Sequence, residues 1–270
     1  MLELEHEFRI VDVHARLSVD EDTTRRGRTV SPERLEREYL QAGVVRAVVF
    51  PDDRPQGYLR FNNAVARLSV DRPFIAFARI DGPRSVDASP RGRLRNLRAE
   101  RESWHASPED VEQYAYDDRF HGFVIDPAAD GLPDEETLEM LAAVDLPVIV
   151  RAGRTFPPER LAATLLDREI TVIAASFAAH PLQRDLMEEA IDMLADHDDL
   201  YLDTSHVRYR EPLERALLEH PDRVLFGTGA PAVHPNVAVM EILTLDVSAD
   251  KLRRVFEGNP QRVVPALAPE

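Results

Sequence analysis

Eight short apolar runs recur along the chain, each followed by polar residues and each separated from the next by a spacer long enough for a helix. They are Ile10 to Val13, Val44 to Phe50, Phe74 to Ile80, Gly122 to Ile125, Leu146 to Val150, Ile170 to Ala175, Leu200 to Leu202 and Val224 to Phe226. Most are continuous rather than alternating, as expected of strands buried on both faces. The spacers Glu135 to Val144, Glu159 to Leu166 and Leu186 to Leu194 place apolar residues at a helical period. Ser31 before Pro32 predicts a helix start, with the helix running to about Gln41 and Gly43 closing it. Eight strands with helical spacers predict an α/β fold, a closed (β/α)8 TIM barrel, as a single domain over residues 1–270. A doubly wound open sheet is the alternative, but no Gly-x-Gly-x-x-Gly follows the first strand.

In such a barrel the C-terminal strand ends form the mouth where chemistry is done. The first run supplies Asp12, His14 and Arg16, with Asp12 and His14 expected on one face. Other runs supply Arg79, Asp126, Arg151, Ser176, Asp203 with His206, and Thr228. One spacer stands apart. Residues 82–119 form a long segment holding Arg84, Arg91, Arg93, Arg95, Arg98, Arg101 and the only tryptophan, Trp104. A solvated helix face, a lid over the mouth and a homodimer contact are its three readings.

Composition removes several function classes. A net charge of −16 argues against nucleic acid as a partner. No cysteine is present, so there is no disulfide, thiolate ligand or thiol nucleophile. No apolar run reaches the roughly 20 residues of a membrane helix, so no membrane partner is expected. The opening residues Met1 to Arg9 carry Glu3, Glu5, His6 and Glu7, which is no secretory leader, and the cytoplasm is the expected compartment.

Taken together, the strand-end segments resemble the amidohydrolase superfamily of metallo-dependent hydrolases, and within it the amidohydrolase-2 type that includes aminocarboxymuconate-semialdehyde decarboxylase-like enzymes. The resemblance covers nearly the whole chain. It rests on Ile10-Val11-Asp12-Val13-His14, Gly43 to Pro51, Phe120 to Pro127, Leu146 to Gly153, Leu200 to Ser205, Asp222 to Pro231 and the tail Phe256 to Arg262. It implies a His-x-His metal pair on the first strand, histidines after the fifth and sixth, and an aspartate after the eighth. This chain has His14 followed by Arg16, then Arg151, Ser176 and Gly229 at those positions. Guanidinium groups stay protonated and donate only, so Arg16 and Arg151 cannot ligate a cation. No bound metal and no other cofactor are therefore expected.

Two arginines at vacated ligand positions suggest a site for a small anionic molecule, with Arg79 as a third contributor. The competing reading is a retired site in which each arginine is neutralised by a neighbouring aspartate. His14, Asp12 and Asp126 are the candidate proton-transfer groups; Arg16, Arg79, Arg151, Ser176, His206 and Thr228 are the candidate substrate contacts. Ser176 has no adjacent base in sequence and is not read as a nucleophile. Three functions follow: metal-independent hydrolase or lyase chemistry on a small anion, a catalytically silent barrel that binds an anion or scaffolds a partner, or a metal-dependent hydrolase with a relocated site.

Overall fold

The computed structural model describes residues 6–18, 24–25, 28–29, 31–53, 57–87 and 89–269. Eight parallel strands follow one another around a nearly closed barrel: β1 (Ile10–Leu17), β2 (Val44–Pro51), β3 (Phe74–Ile80), β4 (Phe120–Ile125), β5 (Val148–Val150), β6 (Val172–Ala174), β7 (Leu200–Asp203) and β8 (Val224–Leu225). The open sheet is thereby set aside. The seam runs between β1 and the chain just beyond the short β8. Val13 N donates to Phe226 O, Gly229 N to His14 O and Arg16 N to Ala230 O, each at 2.9 Å. Half of the polar stretch from Arg16 to Thr29, residues 19–23 and 26–27, lies outside the described residues.

Helices fill the spacers. α1 (Pro32–Ala42) starts on Ser31, whose side chain accepts from Arg34 N, and ends on Gly43 at φ 71°, as its sequence dictates. α2 (Leu59–Ser69) follows β2. The long segment after β3 holds α3 (Pro90–Asn96) and α4 (Pro108–Tyr116), and the short α5 (Pro127–Asp130) follows β4 directly. No described helix is long and apolar enough to cross a membrane.

The core has two layers. Val11, Val13, Val48, Phe50, Phe77, Val124, Ile149, Ile173 and Leu225 fill the barrel interior, and Val264 and Leu267 of the tail pack with them. The opposite strand faces, including Ile10, Ala15, Leu17, Val49, Ala78, Ile125, Val150 and Leu202, pack against the helices. A register shift in β1 between Asp12 and Ala15 reorders the opening strand. It lets Val13 join the interior while Ala15 and Leu17 join the helix side. The expectation that Asp12 and His14 share a face fails for this reason. Asp12 meets Tyr39 on α1, whereas the His14 ring packs edge-on against Phe50 at 5.1 Å.

Asn62 on α2 is fully buried and clips that helix to β3. Its Nδ2 donates to Arg79 O and its Oδ1 accepts from Arg79 N, both at 2.9 Å. This fixes the strand end that carries Arg79. Asn62→Ala should strand two buried backbone groups and cost about 2–4 kcal/mol, lowering the melting temperature by roughly 5–15 °C. Thermal unfolding followed by circular dichroism checks it; an unchanged midpoint would show that water replaces the amide.

Candidate active site

The barrel mouth is organised by one carboxylate. Asp203, at the end of β7, is fully buried. Its Oδ2 accepts from His14 Nδ1 at 2.8 Å. Its Oδ1 accepts from Ser176 N at 2.9 Å, Ser205 N at 2.8 Å and the Ser205 hydroxyl. Burial opposes its ionisation, but the His14 ring and these donors outweigh burial and hold its pKa below the ordinary value. An ionised carboxylate can only accept, so His14 Nδ1 donates, which in the neutral tautomer leaves the lone pair on Nε2. That nitrogen is buried and has no hydrogen-bond partner among the described residues.

The turn after β6 makes this possible. Ser176, Phe177 and Ala178 all have left-handed backbones, φ 54° to 55°. Such geometry costs about 1–2 kcal/mol per residue for side chains larger than glycine. Here it aims the Ser176 N–H at Asp203 and brings Ser176 Oγ within 3.2 Å of Ser205 Oγ and 3.5 Å of His206 Nδ1.

His206 faces His14 across the mouth, with ring centroids 6.2 Å apart and planes nearly perpendicular. Its own φ is 62°. The ring sits where a side chain on Gly229 would go, since a Cβ there would lie 2.4 Å from His206 Cε1. The loss of a side chain at 229 and the placement of His206 are thus one packing event. Burial first, then His14, Arg16 and Arg151, push the His206 pKa down to about 3 against the pull of Asp203. His206 is a neutral imidazole throughout the physiological range.

The arginines are not bare. Arg16 NH1 donates to Asp53 Oδ1 at 2.8 Å and lies 3.7 Å from Asp52. Arg79 is buried; it donates to the same Asp53 oxygen at 2.8 Å, to Pro51 O, and through Nε to Asp130 at 2.8 Å, under the Tyr58 ring. Arg151 donates to Asp126 Oδ2 at 2.8 Å and to His180 Nε2 at 2.7 Å. Its Nε–H donates to no described group, and the side chain is 22% exposed.

The structure therefore brings together His14, Arg16, Ser176 and His206, with Asp126 and Arg151 on the neighbouring rim. It does not bring Asp12 or Thr228 to the mouth. Asp12 accepts from His14 N, Thr228 N, Thr228 Oγ1 and Tyr39 OH, so both its oxygens are committed. It ties β1 to the chain beyond β8. Burial pushes its pKa up to about 6, partly offset by these donors. Arg79 is locked beneath the rim. Sequence reasoning did not single out Asp203 as the partner of His14, although it closes an apolar run as His14 does. Nor did it find Asp53 and Asp130, which carry no signal until the barrel places them beside arginines.

Among the described residues no three His, Asp or Glu side chains converge as a metal-binding group. Arg16 and Arg151 at this mouth are permanently protonated donors, and Asp203 is committed to His14 and the serines. The donor set does not fit a divalent cation.

An eight-stranded parallel barrel with its polar groups at the C-terminal strand ends has the architecture of a barrel enzyme. The chain belongs to the amidohydrolase family: the family model described as Amidohydrolase matches residues 11–266. No curated protein matches it in sequence. It is similar to the solved structure of an uncharacterised TIM-barrel protein from Bordetella bronchiseptica, with 18% identity, TM-score 0.70 and coverage of 96% of this chain and 99% of that one. It is also similar to 2,6-dihydroxybenzoate decarboxylase from Rhizobium (14% identity, TM-score 0.66, 96% and 99% coverage). A third is 5-carboxyvanillate decarboxylase from Sphingomonas paucimobilis (16% identity, TM-score 0.65, 96% and 99% coverage). At such identities the likeness is one of fold.

Two outcomes follow. Gly229→Ala should push the His206 ring aside and, with the cost of the positive φ added, destabilise the protein by about 2–5 kcal/mol. In a His206→Ala background only the cost of the positive φ should remain, about 1–2 kcal/mol; denaturant unfolding of all four proteins measures the coupling, and strict additivity would mean the two residues do not share space. Asp12 has a raised folded pKa, so its contribution to stability is full below its ordinary value of 3.8 and is lost as pH rises through about 6. Asp12→Asn should flatten that part of the stability–pH curve, and an unchanged slope between pH 4 and 6 would show that Asp12 does not titrate there.

Proposed function

We propose that this protein is a metal-independent acid–base enzyme of hydrolase or lyase type acting on a small anionic molecule, with His14 as the proton-transferring group. One observation carries the reading: His14 is anchored through Nδ1 to a buried, ionised aspartate while its Nε2 is buried and unpartnered. An acceptor nitrogen left unsatisfied in a buried site costs stability unless a ligand meets it. When His14 Nε2 takes a proton from substrate or from an attacking water, Asp203 stabilises the imidazolium, and the same nitrogen returns the proton to the product. Asp12 acts as a positioning residue, because its bond to His14 N holds the strand that carries the ring. His206, neutral and across the mouth, is placed to hydrogen-bond a substrate oxygen. The unused Nε–H of Arg151 is the donor best exposed to an anionic group.

Barrels of similar fold include decarboxylases of dihydroxybenzoates and of 5-carboxyvanillate. Small aryl carboxylates are therefore the first substrates to try, with lactones as the hydrolytic arm. A cysteine-free, acidic chain is proposed to work in the cytoplasm. The competing reading, a silent anion-binding barrel, is favoured by Asp53 bridging Arg16 and Arg79, the kind of self-neutralised pairing that a retired site leaves.

A panel of dihydroxybenzoates, carboxyvanillates and small lactones, scored for carbon dioxide release and ring opening, separates the two. Turnover should fall by about 10²–10⁴ in His14→Gln, and to a similar degree in Asp203→Asn. Arg151→Met should act mainly through KM. Carboxylates that raise the melting temperature without any turnover would favour the silent barrel, and full activity in His14→Gln would overturn the role given to His14.

A further inference from the structure

A cavity of about 640 Å³ lies between the long segment after β3 and α5. Its lining does not include His14, His206 or Ser176. The volume is that of a small-molecule site. We propose that this cavity is a separate binding site for a small planar monocarboxylate, stacked on Trp104 and paired with Arg95 and Arg98.

The walls are built rather than loose. Gly82 N donates to Asp130 O at 3.1 Å, Arg84 N to Leu132 O at 3.1 Å and Leu132 N to Arg84 O at 2.7 Å, which makes a short antiparallel floor. Gly131, at φ 76°, allows the close approach: a Cβ there would meet Gly82 O at 2.4 Å. Asn96 fastens α3 to this floor, its amide bonded to both Ser85 N and Ser85 O. On the other side Gly57, at φ 80°, lies against the Trp104 backbone, leaving no room for a side chain. The backbone of Trp104 is thus held in place, and the residue is 44% exposed.

The charges point to the ligand class. Arg84 and Arg101, on the same segment, bond to Glu135 and to Asp134 with Glu136. Arg95 and Arg98 line the cavity, are exposed and pair with no described carboxylate. Glu100, Glu102 and Asp130 share the lining, with Asp130 held by Arg79 and Tyr58, so a single carboxylate suits it better than a polyanion. A flat ring fits the indole face, and two guanidinium groups suit the carboxylate.

Trp104 is the only tryptophan, so intrinsic tryptophan fluorescence reports this cavity alone. Benzoate is the probe, with inorganic phosphate as the non-planar anion. Benzoate should change the emission saturably in the wild type, and phosphate should not. Arg95→Gln with Arg98→Gln should weaken benzoate at least about tenfold; both positions are exposed and pair with no described carboxylate, so folding is not at risk. His14→Gln should leave the titration unchanged, which keeps this site distinct from the proposed active site. No saturable change, an equal response in the double variant, an equal response to phosphate, or loss of the response in His14→Gln would each overturn the proposal.

Discussion

The hydrogen bond from His14 Nδ1 to Asp203 ties the mouth of the barrel together. It joins β1 to β7 across the seam, and the remaining bonds of Asp203 reach the turn after β6. The His14 ring and the surrounding donors hold the Asp203 carboxylate ionised against its burial, and its charge fixes the tautomer of the histidine it holds. The left-handed turn at Ser176, the placement of His206 and the free Nε2 of His14 are all arranged around that contact. Removing the carboxylate would leave a buried N–H unmatched and the strained turn without its anchor.

Around this centre lies a lattice of arginines and aspartates. Asp53 links Arg16 to Arg79, Asp130 holds Arg79 from the other side, and Asp126 holds Arg151 while capping α5. Of these pairs only Arg79–Asp130 is buried on both sides; such a pair is a weak contributor to stability, but breaking it by removing a single partner costs about 3–5 kcal/mol. The effect of the pairs here is positional. They hold the guanidinium groups at the barrel mouth, and leave only part of the donor capacity of Arg151 for a ligand. A side chain at position 229 after β8 has no room in this barrel, because the space beside Gly229 is filled by His206.

Much of the barrel was legible in the sequence because burial writes itself as apolar runs. β3 is found at Phe74–Ile80 as the run predicts, and α1 begins and ends on its capping residues. The shortened strands β5, β6 and β8 reflect ends that bend into turns, which apolarity does not mark. The face of Asp12 was not legible, because the register shift in β1 depends on pairing with β2 and the chain beyond β8. His14 was legible as a mouth residue from its strand end, and His206 as a candidate contact with a solvent-exposed loop position as its other reading. Their relation to each other was not, since it depends on contacts between β1 and β7 and on the bare backbone of Gly229. The pairing of the arginines was foreseen as one of two readings, and the particular partners Asp53 and Asp130 needed the fold.

The central claim is that His14 offers its free nitrogen to a proton and not to a metal ion. Elemental analysis tests it most directly, on protein produced in medium supplemented with zinc and manganese and purified without chelator, beside His14→Gln. The account predicts far less than one metal ion per chain in both proteins. One equivalent of zinc or manganese in the wild type, lost in His14→Gln, would contradict it.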